Sequence, residues 1–300
     1  MDKYLETLVT ETVNERTKEI DCCETTEILQ MINREDTLIP EAVAKVIPDI
    51  ALAVDMITDA FMAGGRLFYF GAGTSGRLGI LDAYECPPTF GVDPSMVQGY
   101  IAGGDEAIRH DVEDCEDNEE LGRQDVKKVG VTASDVVVGI AASGRTPYVL
   151  GAVRQAADIG ARTIGITNNP NSLLKKEAEI CIAPVTGPEA LTGSTRMKAG
   201  TSQKMVLNML TTASMIKLGK VYGNRMVDLC PTNGKLVERA KRIFRDITDA
   251  SDETAEQYLA ASGMKTKLAL MMFYSGLEAE AAQKLLDDHQ GNLKNALANC

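Results

Sequence analysis

Tryptophan is absent and histidine occurs only twice, at His110 and His289, in a chain of 300 residues. A histidine triad or a multi-histidine metal centre is therefore poorly supplied, and any chemistry falls to carboxylates, hydroxyls, lysine or arginine. The cysteines (Cys22, Cys23, Cys86, Cys115, Cys181, Cys230 and Cys300) number 7, an odd count, and no pair has zinc-knuckle spacing. Cys22 and Cys23 are adjacent and do not suit an ordinary structural disulfide. The N-terminal sequence is charged rather than a signal peptide, so a reducing cytoplasmic setting is expected. No apolar run approaches the roughly 20 residues that cross a bilayer. Basic residues are in deficit, with Lys+Arg 31 against Asp+Glu 43 and a net charge of −12. That argues against a nucleic-acid or anionic-membrane partner, which would want a basic face. A small anion can still bind where the local field is positive.

What is present suits a large α/β protein. Hydrophobic residues make up 44%, enough for an extensive core. Residues 1–64 read as largely helical, with Glu41–Met62 apolar at helical spacing and Gly64-Gly65 as its stop. Short apolar runs at Arg66–Phe70, Met96–Ile101, Asp135–Ala141, Arg162–Thr167 and Ile180–Pro184 read as strands. The run at 135–141 does not alternate, as expected of a strand buried on both faces. Helices are expected after the first strand as far as a Pro87-Pro88 break, over the charged stretch Glu106–Lys128, over Pro147–Ile159 and over Met197–Leu218. Strands alternating with helices predict a parallel sheet. From Lys235 onward the pattern is all-helical, with Gly263, Gly276 and Gly291 separating short periodic segments of a small terminal module.

Three hydroxyl-rich loops carry the candidate chemistry. Gly71-Ala72-Gly73-Thr74-Ser75-Gly76-Arg77 follows the first strand. Ser143-Gly144-Arg145-Thr146 follows the Asp135–Ala141 strand, and Gly193-Ser194-Thr195-Arg196-Met197-Lys198 precedes the long helix. Glycine lets the backbone approach a ligand closely, and a helix start offers unpaired N–H groups that suit an anion. Each loop alone reads equally as a helix cap. Together they suggest an anion site, because ligands of open parallel sheets bind outside the carboxyl ends of the strands. The first loop has neither dinucleotide-fingerprint spacing nor a Gly-Lys-Ser/Thr ending, which disfavours NAD and ATP.

Most carboxylates read as solvated surface. Two are singled out. Glu85 precedes Cys86-Pro87-Pro88, where prolines stiffen the chain. Glu116 lies in the acidic cluster Glu113-Asp114-Cys115-Glu116-Asp117, where crowding raises carboxyl pKa values. From spacing alone, surface carboxylates remain the simpler reading of both.

The paired loops resemble those of the sugar isomerase (SIS) fold, which binds phosphosugars. Residues 71–79 and 82–90, the stretch Glu189–Thr201, Asn224–Asp228, Thr10-Glu11 and Ile32–Asp36 resemble the N-acetylmuramic acid 6-phosphate etherase family over nearly the whole chain. Tyr84 stands where that family's pattern leads one to expect serine. The resemblance implies a SIS-type three-layer α/β/α sandwich with a parallel sheet, a helical N-terminal segment (1–54), a SIS domain (55–220) and a helical C-terminal region (221–300) with a ubiquitin-associated-like bundle. It implies a lyase that cleaves the D-lactyl ether of its substrate by elimination and hydration, in cell-wall amino sugar recycling. No metal or organic cofactor is implied. The family's two glutamates fall on Glu85, as acid for departing lactate, and Glu116, as base at carbon two or in the later water step. Thr74, Ser75, Gly76, Ser143, Gly144, Arg145, Thr146, Glu189, Ser194 and Thr195 are the expected phosphosugar-binding residues, with Glu189, a third carboxylate beside a hydroxyl loop, read as helping ring opening. The resemblance also implies a homodimer. Rival readings are a sugar-phosphate-sensing regulator and an aldose–ketose isomerase on the same fold.

Overall fold

The computed structural model describes residues 8–110, 112, 114–229 and 234–300. Two compact units emerge: Met1–Tyr84 with Ser95–Thr211, and Glu85–Pro94 with Thr212–Cys300.

The first unit is built on a parallel sheet of five strands, β1 (Leu67–Gly71), β2 (Val97–Ile101), β3 (Val136–Ile140), β4 (Arg162–Ile166) and β5 (Ile180–Ile182), in the order β2-β1-β3-β4-β5. Leu67 pairs with Val136 and Gly71 with Ile140, so β1 and β3 run in register to their carboxyl ends. Every residue of both strands is buried, which is why their apolar runs do not alternate. Phe68, Phe70 and Val137 pack with α5 (Glu119–Lys128) and α6 (Pro147–Ile159) in one core layer. On the other face, Tyr69 and Ile140 meet Gly79 of α4 (Gly73–Phe90).

Helices α1 (Thr25–Asp36), α2 (Ile39–Ala44) and α3 (Ile47–Met62) precede the sheet, and 3₁₀ turns at Val9–Glu11, Glu15–Thr17 and Ile20–Cys22 precede them. The helix expected over 41–62 is thus split. Pro40 and Pro48 sit in the first turns of α2 and α3, where a missing N–H costs nothing. Two further expectations are corrected. Residues 106–128 form no continuous helix: a 3₁₀ turn at Gly104–Ile108 leads into turns, and only α5 is regular, started by the Asn118 side chain accepting from the Leu121 N–H. Pro87 and Pro88 do not break α4, which runs on to Phe90. They remove the N–H groups of its last turn, and the helix stops at Gly91, whose φ is +60°.

The second unit contains a two-stranded antiparallel ribbon, β6 (Val221–Tyr222) and β7 (Arg225–Met226), and helices α9 (Gly234–Thr248), α10 (Asp252–Ala261), α11 (Thr266–Ser275), α12 (Ala279–Asp288) and α13 (Leu293–Leu297). Phe244, Tyr258 and Phe273 form its aromatic centre, with ring centroids 5.3 to 5.8 Å apart. Gly276 ends α11 at φ +68°. Among the described residues no helix is long and apolar enough to cross a membrane.

Candidate functional site at the carboxyl edge of the sheet

The strand order reverses between β1 and β3, since β2 lies outside β1 and β4 outside β3. Such a reversal opens a crevice at the carboxyl ends of the two strands, where open α/β sheets take their ligands. Both of the first two hydroxyl loops leave the sheet there: Gly71–Arg77 follows β1, and Ser143–Thr146 follows β3.

The first loop is held by close backbone approach. A Cβ on Gly71 would stand 2.6 Å from the Gly76 nitrogen, and one on Gly76 would stand 2.6 Å from Ile101. Only glycine at both positions lets α4 begin directly above β1. Thr74 and Ser75 lie in its first turn. Buried Ser75 donates its hydroxyl to Gln203 Oε1 at 2.8 Å. Arg77 is turned to the carbonyls of Ile108 and Ala107, at 2.9 and 2.8 Å, so it fastens the 3₁₀ turn.

In the second loop Gly144 takes φ +64°, and a Cβ there would stand 2.3 Å from Ser172 Cβ and 2.6 Å from Thr167 Oγ1. Ser143 Oγ accepts the Arg145 N–H at 3.2 Å. The N-cap of α6 is Thr146, not Ser143, and its side chain makes no cap hydrogen bond.

The third loop reaches α8 (Lys198–Lys217), which comes after the short α7 (Leu174–Glu177) and β5 in the chain. Glu189, 1% exposed, accepts the N–H groups of Lys198 and Ala199, each at 2.8 Å. Burial pushes its carboxyl above the usual range, against the pull of those amides. Both oxygens thus serve the first turn of α8, and those two amides are filled from within the chain. Ser194 and Thr195 stand in the preceding turn and are half-buried. The start of α8 also meets the first loop: a Cβ on Gly200 would touch Thr74 Cγ2 at 3.3 Å.

Three side chains that the motif reading did not single out join these loops. Gln203, which receives the Ser75 hydroxyl, donates to Asn168 Oδ1 at 3.2 Å. Asn168 donates to Ser202 Oγ at 2.8 Å, and its own backbone N–H reaches the Ala142 carbonyl. Asn169 donates to that same carbonyl at 2.9 Å, one residue before Ser143. A polar relay therefore runs from Ser75 to the foot of the second loop. Its signal in the sequence was Asn168-Asn169-Pro170-Asn171-Ser172, a turn-rich polar run directly after β4 like the runs after β1 and β3. Gln203, in mid-helix, carries no such signal.

The N-terminal turns lie along this edge. Val9 donates its N–H to Asn169 Oδ1 at 2.8 Å, and Thr17 donates its hydroxyl to the Ala190 carbonyl at 2.8 Å. Arg16 grips Glu35 through Nε and Nη2, at 2.5 and 2.8 Å. Glu35 also takes the fully buried Lys198 ammonium at 2.6 Å. The Arg16 guanidinium, with Lys198, holds the Glu35 carboxyl down at about 2.

The two singled-out glutamates are both exposed. Glu85 rides the last turns of α4, in the second unit, rather than the proline-stiffened loop expected. Glu116 lies in the turns before α5, in the first unit, and its carbonyl accepts the Tyr148 N–H at 3.0 Å. Of its acidic cluster, Glu113 lies outside the described residues.

Comparison with known proteins bears on this edge directly. Residues 49–157 match the glucokinase regulatory protein N-terminal SIS domain, and residues 119–213 match the SIS domain. The N-acetylmuramic acid 6-phosphate etherase of Glaesserella parasuis is 55% identical over 291 residues, covering 97% of this chain and 96% of its own. That of Vibrio campbellii is 56% identical, covering 97% and 94%. That of Clostridium botulinum strain Okra is 55% identical, covering 98% and 97%. The chain belongs to the N-acetylmuramic acid 6-phosphate etherase family. Its fold is the SIS fold. A solved structure from Bacteroides fragilis, described among phosphosugar isomerases involved in capsule formation, matches with a TM-score of 0.50 at 18% identity, covering 65% of this chain and 91% of its own.

Proposed function

We propose that this protein is a carbon–oxygen lyase that converts N-acetylmuramic acid 6-phosphate and water to N-acetylglucosamine 6-phosphate and D-lactate, in cell-wall amino sugar recycling. The observation that carries this reading is the near-full-length identity with relatives of that name. The placement of two hydroxyl loops on either side of the β1/β3 reversal supports it, since that crevice suits a phosphorylated sugar.

In the opened sugar the proton on carbon two is acidic because it adjoins the aldehyde. Glu116 is the proposed base. It removes that proton, the carbon two–carbon three double bond forms, and the carbon three–oxygen bond breaks. The electron pair leaves with the lactate oxygen, which takes a proton from Glu85. Water then adds at carbon three, losing a proton to the Glu85 carboxylate, and the proton held by Glu116 returns to carbon two. Each proton transfer by a placed carboxyl is worth a rate factor of roughly 10²–10⁴. Ser75, Ser143 and Thr146 are the proposed phosphate ligands, with Thr74, Gly76, Gly144, Arg145, Ser194 and Thr195 beside them. Glu189 acts on the ring only indirectly in this reading, by holding the start of α8. A cytoplasmic homodimer is the proposed working state.

Incubation of the purified protein with N-acetylmuramic acid 6-phosphate tests this. Stoichiometric lactate and N-acetylglucosamine 6-phosphate are expected. Conversion of a phosphosugar to its keto isomer without lactate would favour an isomerase instead.

A further inference from the structure

The second unit holds a cavity of about 490 Å³ between the ribbon, the start of α11 and α12, a volume in the range of small-metabolite pockets. It shares no residue with the hydroxyl loops. Its lining is unusual for a chain of net charge −12. Among the described residues that line it, three are cationic, Lys220, Lys265 and Lys267, and two are anionic, Asp228 and Asp287, so positive charge is in local excess.

The excess has a geometry. Asp228 Oδ2 receives two ammonium groups, Lys220 at 3.3 Å and Lys267 at 2.6 Å. One carboxylate thus serves two cations. Lys267 is 8% exposed and satisfies a further proton on the Gly291 carbonyl at 2.8 Å, a neutral acceptor. Burial, together with the Lys220 charge, pulls the Lys267 pKa down despite its carboxylate partner, as expected of an under-neutralised buried cation.

Two further features point the same way. Thr266 lines the cavity and is fully buried, yet its hydroxyl has no hydrogen-bond partner among the described residues. A buried hydroxyl left unmatched costs stability, and such groups are rare unless a ligand or water completes them. The N-cap of α11 is Lys265, whose side chain supplies no cap bond; the Val227 carbonyl takes the Lys267 N–H at 3.1 Å, and the positive end of that ten-residue helix lies at the cavity with no carboxylate or hydroxyl cap among the described residues.

We infer that this cavity is a binding site for a small anion bearing a phosphate or carboxylate group, held by Lys220, Lys267, the Thr266 hydroxyl and the start of α11. The site is independent of the proposed etherase activity.

The test uses the full chain, with the amide resonances of Thr266, Lys267 and Leu268 followed by NMR. Inorganic phosphate and acetate are titrated separately, at constant ionic strength. Saturable shifts with phosphate alone mark a phosphate site, and with acetate alone a carboxylate site. Shifts with both mark a site for either group. Lys220→Met, at a partly exposed side chain, is expected to weaken the response about tenfold, the value of one charge-assisted hydrogen bond. Thr266→Val is expected to weaken it as well, while raising the melting temperature of the anion-free protein by removing the unmatched hydroxyl. Ser143→Ala is expected to leave these resonances unaffected, which separates this site from the hydroxyl loops. No saturable shift with either anion, or equal affinity in wild type, Lys220→Met and Thr266→Val, overturns the inference.

Discussion

Lys198 buries its ammonium completely against Glu35, Nζ to Oε2 at 2.6 Å, and Glu35 in turn is clasped by Arg16 from the N-terminal turns. One carboxylate thus fixes the start of α8 and the N-terminal strap at the carboxyl edge of the sheet. Removing it leaves a buried cation unpaired, which costs about 3–5 kcal/mol. Glu35→Gln is expected to lower the urea midpoint sharply without changing the slope.

The same carboxylate sets an acid limb. Its folded pKa, about 2, lies below the unfolded value of 4.5, so the unfolded chain binds the proton more readily. The stability it supplies is complete above about pH 4.5 and drains away as pH falls toward 2. Glu189 runs oppositely: its folded pKa is raised, so its contribution is present at low pH and lost as pH rises through that value. Urea unfolding between pH 2 and 6 is expected to show a steep loss in wild type and a shallower one in Glu35→Gln. Equal slopes in the two proteins would contradict the pairing.

Gly144→Ala is expected to be severe. The residue takes φ +64°, and its Cβ would collide with Ser172 and Thr167. The backbone alone costs about 1–2 kcal/mol, and the collision displaces the loop that is proposed to hold phosphate. The measurement is the Michaelis constant, expected to rise at least about tenfold. An unchanged constant in a folded Gly144→Ala protein would remove this loop from the site.

Ser143→Ala and Gln203→Leu separate direct contact from positioning. Ser143→Ala is expected to weaken binding of the phosphorylated sugar more than it slows turnover at saturation. Gln203→Leu strips Ser75 and Asn168 of their shared partner. It is expected to raise the Michaelis constant without touching substrate, and Ser75→Ala in that background adds little, because residues in one hydrogen-bond chain are not additive. Full additivity of the two changes would argue against the relay.

Much of this arrangement is legible in the sequence. The five strands lie within a residue or two of their apolar runs, because strands buried on both faces leave unbroken Val, Ile and Phe segments such as 136–140. The hydroxyl loops were legible because glycine and hydroxyls cluster where a strand turns into a helix. The rest depends on contacts distant in sequence. Glu189 reads as one more acid beside a hydroxyl loop, and only the fold turns both its oxygens onto the amides of Lys198 and Ala199. Gln203 is one polar residue within a long helix until α8 is laid against the start of α4. Pro87 and Pro88 read as a break, but the helix needs only one further turn and tolerates them. The charged periodicity over 106–128 misled because a solvated turn and a solvated helix share one composition.

Glu85 is proposed to supply the proton that releases lactate. Lactate formation from N-acetylmuramic acid 6-phosphate, followed in wild type and in Glu85→Gln beside direct measurement of substrate binding, tests it most directly. Near-complete loss of lactate release, roughly 10²–10⁴-fold, with binding retained, is expected of Glu85→Gln. Wild-type turnover in Glu85→Gln would contradict it.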